Sequence, residues 1–123
     1  MGLLQIMPGT WNEWARKLPF ANPSPWNPLQ NLIVGLCELN RQVQAFQKID
    51  LALTAYNWGS GNLRKLINDA GSNDLEVLKS HVPSGPTVRP MPKEAREYAQ
   101  RIFNHYKDPE TLERVDDFLK IIN

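Results

Sequence analysis

Three groups of side chains in this 123-residue sequence have the types and spacing to contact a polar ligand or to move a proton. Tyr56 and Asn57 close an apolar stretch and are followed by Gly59-Ser60-Gly61. A phenol and a carboxamide therefore stand beside a turn poor in side chains, where backbone can come close to a ligand. Gln5 and Met7 precede Pro8, and Glu94 and Tyr98 lie four apart, on one face of a helix. Acid catalysis needs a carboxyl that is neutral when it donates its proton, and Glu13, Glu38 and Glu94 are the central candidates. Each has a plainer reading as a surface or structural carboxylate. Tyr56 likewise reads as a core aromatic with its hydroxyl satisfied at the edge, and Gln5 as an amide bonding nearby backbone.

Other chemistries find no support. His81 and His105 fall on different elements, outside any short cluster with metal-ligand spacing. No metal or other cofactor is expected. Nothing matches a phosphate-cradling loop, a nucleophile elbow or a cysteine–histidine pattern. Cys37 is the single cysteine, has no disulfide partner within the chain, and reads as a small buried hydrophobe. A formal charge of +1 gives no electrostatic case for nucleic acid. With 41% hydrophobic and 22% charged residues the composition is globular, and no apolar run approaches the roughly 18 residues of a membrane span.

The elements that must position these groups read as nearly all helical, in one domain of modest core. Thr10 is expected to cap a helix over 11–17, with Trp11, Trp14, Ala15 and Leu18 on one face. A proline-rich ordered loop follows, and Asn27-Pro28 begins a helix over 28–46. Leu29, Leu32, Ile33, Leu36, Cys37, Leu39, Val43 and Phe46 form its expected apolar face. Asp50 is expected to cap a short buried helix over 51–56, which Gly59-Ser60-Gly61 ends. Further helices are expected over 62–70, stopped by Gly71, and over 75–81, opened by Asp74. Prolines between His81 and Pro92 impose a surface loop. A helix with Ala95, Tyr98, Ala99, Ile102, Phe103 and Tyr106 on one face closes near Lys107. Asp108-Pro109 then restarts the chain into a final helix striped by Leu112, Val115, Leu119 and Ile122.

Four blocks, in order, resemble the signature of lytic transglycosylases with the soluble-enzyme (SLT), goose-lysozyme-like domain. Residues 2–8 with Thr10 are similar to the family's G-L-M-Q-x-x-P-x-T stretch, with Leu4 in place of methionine. Asn27-Pro28 through Asn31-Leu32 to Gly35 resembles D-P-x-x-N-I/L-x-x-G, with Asn27 replacing aspartate, and reads as structural. Residues 51–61 are similar to A-L-A-A-Y-N-x-G-x-G. Residues 92–98 resemble P-x-E-T-R-x-Y, with Ala95 replacing threonine. The longer proline-rich stretch from Val82 departs from compact relatives.

The resemblance implies an all-α, lysozyme-like fold in which residues 1–107 form the family-like core and 108–123 a C-terminal helix. It implies that Gln5, Met7, Asn57 and Tyr98 contact glycan, that Tyr56 supports the catalytic glutamate, and that Gly59, Gly61 and Glu94 are structural. The implied reaction is cleavage of the β-1,4 bond between N-acetylmuramic acid and N-acetylglucosamine of peptidoglycan, leaving a 1,6-anhydro end. The family's general-acid glutamate lies ahead of the glycine corresponding to Gly2, and no residue here matches it. The chain is therefore expected to be N-terminally truncated and poorly active alone, with self-association through apolar surface around Leu3, Leu4 and Ile6. The alternatives are a noncatalytic peptidoglycan or chitooligosaccharide binder and a helical interaction protein. Met1 is followed by no leader pattern, and the sequence assigns no compartment. The resemblance implies the periplasm, the cell envelope, secretion or phage delivery.

Overall fold

A computed structural model describes residues 6–106, and every regular element among them is an α-helix. In chain order these are α1 (Pro8–Lys17), α2 (Pro28–Phe46), α3 (Ile49–Trp58), α4 (Ser60–Ala70), α5 (Leu75–Ser80) and α6 (Lys93–Tyr106). The expected final helix and Gln5 lie outside the described residues. No helix among the described residues is long and apolar enough to cross a membrane. The chain divides into two compact units, 1–41 and 42–123.

In the first unit, α1 begins at Pro8 rather than after Thr10. Met7 is the N-cap residue without a side-chain cap bond. Proline at the first helical position explains this start, since its fixed φ suits the helix and its missing N–H would have no partner there. Ile6, Trp11 and Val34 are buried together, and Trp14, Ala15, Leu18 and Phe20 pack around them. Trp11 and Phe20 stack with ring centroids 6.1 Å apart. Ile6, expected to belong to an exposed apolar surface, is thus committed to this core; Leu3 and Leu4 lie outside the described residues.

The loop before α2 is fixed by polar side chains of that helix. Gln30 accepts from the Ser24 N–H at 2.8 Å and donates to the Asn22 carbonyl at 3.1 Å, while Asn31 donates to the Pro25 carbonyl at 3.2 Å. Asn27 starts α2 as expected, its side-chain oxygen accepting from the N–H groups of Leu29 and Gln30 at 3.0 and 3.2 Å.

The buried face of α2 is not the expected one. Leu29, Leu32 and Leu36 are exposed, whereas Asn31, Val34, Glu38, Gln42 and Val43 are buried. Cys37 is a free thiol, only partly buried. Hydrogen bonding accounts for the difference, because a buried polar side chain costs little once its partners are supplied. Asn31 has the Pro25 carbonyl. Glu38 accepts from the Trp14 indole N–H at 2.8 Å and from Arg41. Arg41 also pairs with Glu13, which Lys17 approaches at 3.3 Å. The Arg41 and Lys17 cations both lie over the Trp14 ring, at 5.2 and 5.3 Å from its centroid.

The second unit is built on α3, which packs against α6 and α4, while α4 packs against α5. Leu51, Ala55, Leu63, Leu66, Leu75, Leu78, Met91, Ala95 and Ala99 form its core. α3 starts two residues earlier than its capping pattern implies, after Lys48. Asp50 sits in its first turn, where its carboxylate accepts from the Leu51 N–H at 2.7 Å. Gly71 ends α4 in the left-handed conformation, and Asp74 caps α5 by accepting from the Glu76 N–H at 2.9 Å.

The proline-rich segment after α5 carries no regular structure but is anchored. The Asp69 carboxylate accepts from the Ser84 hydroxyl and, at 3.1 Å, from the Ser84 N–H; it meets His81 Nε2 at 2.7 Å. Ser84 first, then His81, hold the Asp69 carboxyl down at about 2. Met91 enters the core, and Val88 packs against it.

Candidate functional site

The third and fourth sequence blocks meet in the second unit. Asn57, in the last turn of α3, donates its amide N–H to the Glu94 carboxylate at 3.3 Å, in the first turn of α6. Packing of α3 against α6 brings the two together. Tyr56 is half-buried beside Asn57 on α3, and Tyr98 is half-buried one turn beyond Glu94 on α6. Burial raises the Tyr98 phenol above its ordinary value and Glu94 pushes the same way, while Arg101 opposes them. Tyr98 is therefore a neutral phenol at any ordinary working pH, able to donate or accept a hydrogen bond. The carboxamide of Asn57 and the exposed carboxylate of Glu94, joined where α3 ends and α6 begins, suit a ligand rich in hydroxyl and amide groups.

Arg101 belongs to this surface and was not singled out in the sequence. It donates to the backbone carbonyl of Glu94 at 3.5 Å. Its place seven residues after Glu94, two turns along the same face, was the available signal.

The two glycines behave differently. Gly59 has φ +105° and ψ 135°, a conformation open almost only to glycine, and its N–H donates to the Ala55 carbonyl at 2.8 Å while its carbonyl accepts from Leu63 at 3.2 Å. This single residue ends α3 and starts α4. Gly61 is not part of the turn: it lies within the first turn of α4, and a side chain there would meet nothing within 4 Å. Gly59→Ala is expected to cost about 2 kcal/mol through backbone strain alone, since the added carbon would meet only the Asn62 amide at an ordinary 3.7 Å. Gly61→Ala is expected to be neutral or to stabilise by about 0.5 kcal/mol. Urea midpoints of the two variants check this; equal destabilisation would contradict it.

Of the first block, Met7 is exposed at the start of α1. The candidate acids are all engaged. Arg41, and after it Lys17, hold Glu13 below the usual carboxylate range. Glu38 is taken by Trp14 and Arg41, and Glu94 by Asn57.

The family model for the transglycosylase SLT domain matches residues 1–78, which takes in the first three sequence blocks and stops short of the fourth. No curated protein and no solved structure gave a match. The matched segment covers more than half of the chain and includes Gln5, Tyr56, Asn57 and the Gly59 turn. Together with an all-helical fold of the lysozyme-like kind, this places the chain in the transglycosylase SLT family, the family of peptidoglycan lytic transglycosylases.

Proposed function

We propose that this chain binds the glycan strands of peptidoglycan through Tyr56, Asn57 and Tyr98, and serves the cleavage of the bond between N-acetylmuramic acid and N-acetylglucosamine. Gln5 and Met7 are glycan contacts by their place in the first block. The observation that carries the reading is the Asn57–Glu94 hydrogen bond, which holds the carboxamide at the end of α3 against the first turn of α6.

In the reaction, the glycosidic oxygen leaves as it receives a proton and positive charge grows at the anomeric carbon. The resulting carboxylate then takes the proton of the muramic C6 hydroxyl, whose oxygen closes on the anomeric carbon. Bond and proton balance without water, and the product is a 1,6-anhydro sugar. A neutral carboxyl must start this sequence. Glu13 is held ionised by its cations, Glu38 accepts from a guanidinium and an indole, and Glu94 is exposed and tied to Asn57. On these grounds the general acid is not one of the three, and this chain by itself binds glycan with little turnover. The same accounting favours a noncatalytic glycan binder as the second reading.

Calorimetric titration with a chitooligosaccharide and mass analysis of sugars released from purified peptidoglycan test both halves. Binding is expected to weaken about tenfold in Asn57→Ala, the loss of one hydrogen bond to a desolvated polar group. 1,6-Anhydro products are expected to stay near background. Absence of glycan binding would sink the reading, and ready release of anhydromuropeptides would sink the proposed lack of turnover.

A further inference from the structure

A second polar surface lies within the 42–123 unit on α4, and nothing in the transglycosylase chemistry above uses it. Arg64, Asn68 and Asn73 stand over a floor of Phe46, Leu51 and Ile67, around a depression of about 320 Å³. An adjoining depression of about 510 Å³ continues past Asn68 and Asn73 towards Ser72. Both depressions are open to solvent rather than enclosed.

The groove has an excess of hydrogen-bond donors. The Arg64 guanidinium lies over the Phe46 ring, 5.3 Å from its centroid, while Phe46 packs against the core. The guanidinium is exposed on α4, and a guanidinium can grip a carboxylate in bidentate fashion. Among the described residues no ion pair joins Arg64 to a carboxylate. Asp50 accepts from the Leu51 N–H, Asp69 from Ser84 and Asp74 from the Glu76 N–H. Lys48 adds a second cation at the rim, donating to the Asn73 carbonyl at 3.2 Å. The side-chain amide of Asn68, exposed on α4, completes a set suited to a peptide group.

We infer that this groove binds a carboxylate-bearing peptide, with the carboxylate on Arg64 and the neighbouring amide on Asn68 and Asn73. Its identification as the peptide stem of peptidoglycan rests on the glycan reading proposed above. The surface would then read whether a strand is peptide-substituted, separately from the residues that hold the sugar.

Two-dimensional amide NMR of the full chain distinguishes the two readings. The ligands are a disaccharide muropeptide with a free-acid tripeptide stem, the same disaccharide without its stem, and the stem with its carboxylates amidated. The free-acid muropeptide is expected to shift the side-chain amides of Asn68 and Asn73. The stemless sugar is expected to shift Asn57 and leave Asn68 and Asn73 in place, and the amidated stem to bind α4 about tenfold more weakly. Arg64→Gln should weaken the α4 response about tenfold, whereas Lys65→Gln, which removes one exposed charge from the same helix, should change it less than twofold. If the stemless sugar moves Asn57 and the stem adds nothing at α4, this inference falls and the glycan reading stands. If the stem moves α4 while the sugar leaves Asn57 in place, the glycan reading falls and the carboxylate groove stands. An unchanged α4 response in Arg64→Gln also overturns it.

Discussion

Truncating Leu63 to alanine is expected to destabilise the second unit by about 3 kcal/mol and to lower the thermal midpoint by about 10 °C or more. Leu63 is fully buried on α4 in the cluster that also holds Leu51, Ala55, Ala95 and Ala99. Leu→Ala removes both the transfer energy of the lost atoms and the contacts of the surrounding wall, and a rigid site of this kind collapses little. The proposed glycan surface depends on it, because α3 carries Tyr56 and Asn57, α6 carries Glu94 and Tyr98, and this cluster joins both helices to α4. Glycan affinity per folded molecule should nonetheless be unchanged, which separates loss of fold from loss of site. Leu63→Met, a volume-conserving change, should cost less than about 1.5 kcal/mol. Leu36→Ala should fall within about 0.5 kcal/mol, since that side chain is 56% exposed. Equal costs at Leu63 and Leu36 in denaturant unfolding would contradict the assignment of core and surface.

The second large effect is expected at Glu38. Glu38→Ala leaves the Trp14 indole N–H without its acceptor and reduces the partners of Arg41 to Glu13. Removing one member of a buried pair costs several kcal/mol when the survivor is stranded, but the Arg41 side chain is 38% exposed and keeps a second carboxylate. We therefore expect about 2 kcal/mol. Glu38→Gln retains an acceptor for Trp14 and should cost about 1 kcal/mol. Urea unfolding and the near-ultraviolet signal of Trp14 report the change. A Glu38→Gln variant with unaltered stability but altered sugar release would mean that Glu38 acts on substrate rather than as a bolt between α1 and α2.

What could be read in the sequence, and what could not, divides along the distance over which the deciding interaction acts. The start of α2 at Asn27-Pro28, the stop at Gly71 and the cap at Asp74 depend on atoms within a turn of each other, and they stand where the residues indicate. The buried face of α2 could not be read in the same way. Helical periodicity gives the angular place of Leu29, Leu32 and Leu36, but Asn31 and Glu38 compete for the inside once Pro25, Trp14 and Arg41 supply partners from other segments. Gly59 and Gly61 are chemically identical in the sequence, and only the backbone shows that one turns the chain while the other lies in a helix. The candidate residues Tyr56, Asn57, Glu94 and Tyr98 are singled out in the sequence by motif resemblance alone. The bond between Asn57 and Glu94, 37 positions apart, required the packing of α3 on α6.

The clasp at Asp69 changes what kind of object the connection from α5 to α6 is. A peptide tether fixed only at its ends explores a volume set by its whole contour, and closing it costs entropy that grows with the logarithm of its length, about 0.6 kcal/mol for each doubling. Here Ser84 is clipped to Asp69, and Val88 and Met91 rest on the core, so the contour is divided into short spans. Pro86 and Pro90 stiffen the spans between those fixed points. In polymer terms the segment behaves as a jointed frame rather than a slack chain, and α6 with Glu94 and Tyr98 is delivered to α3 with little search.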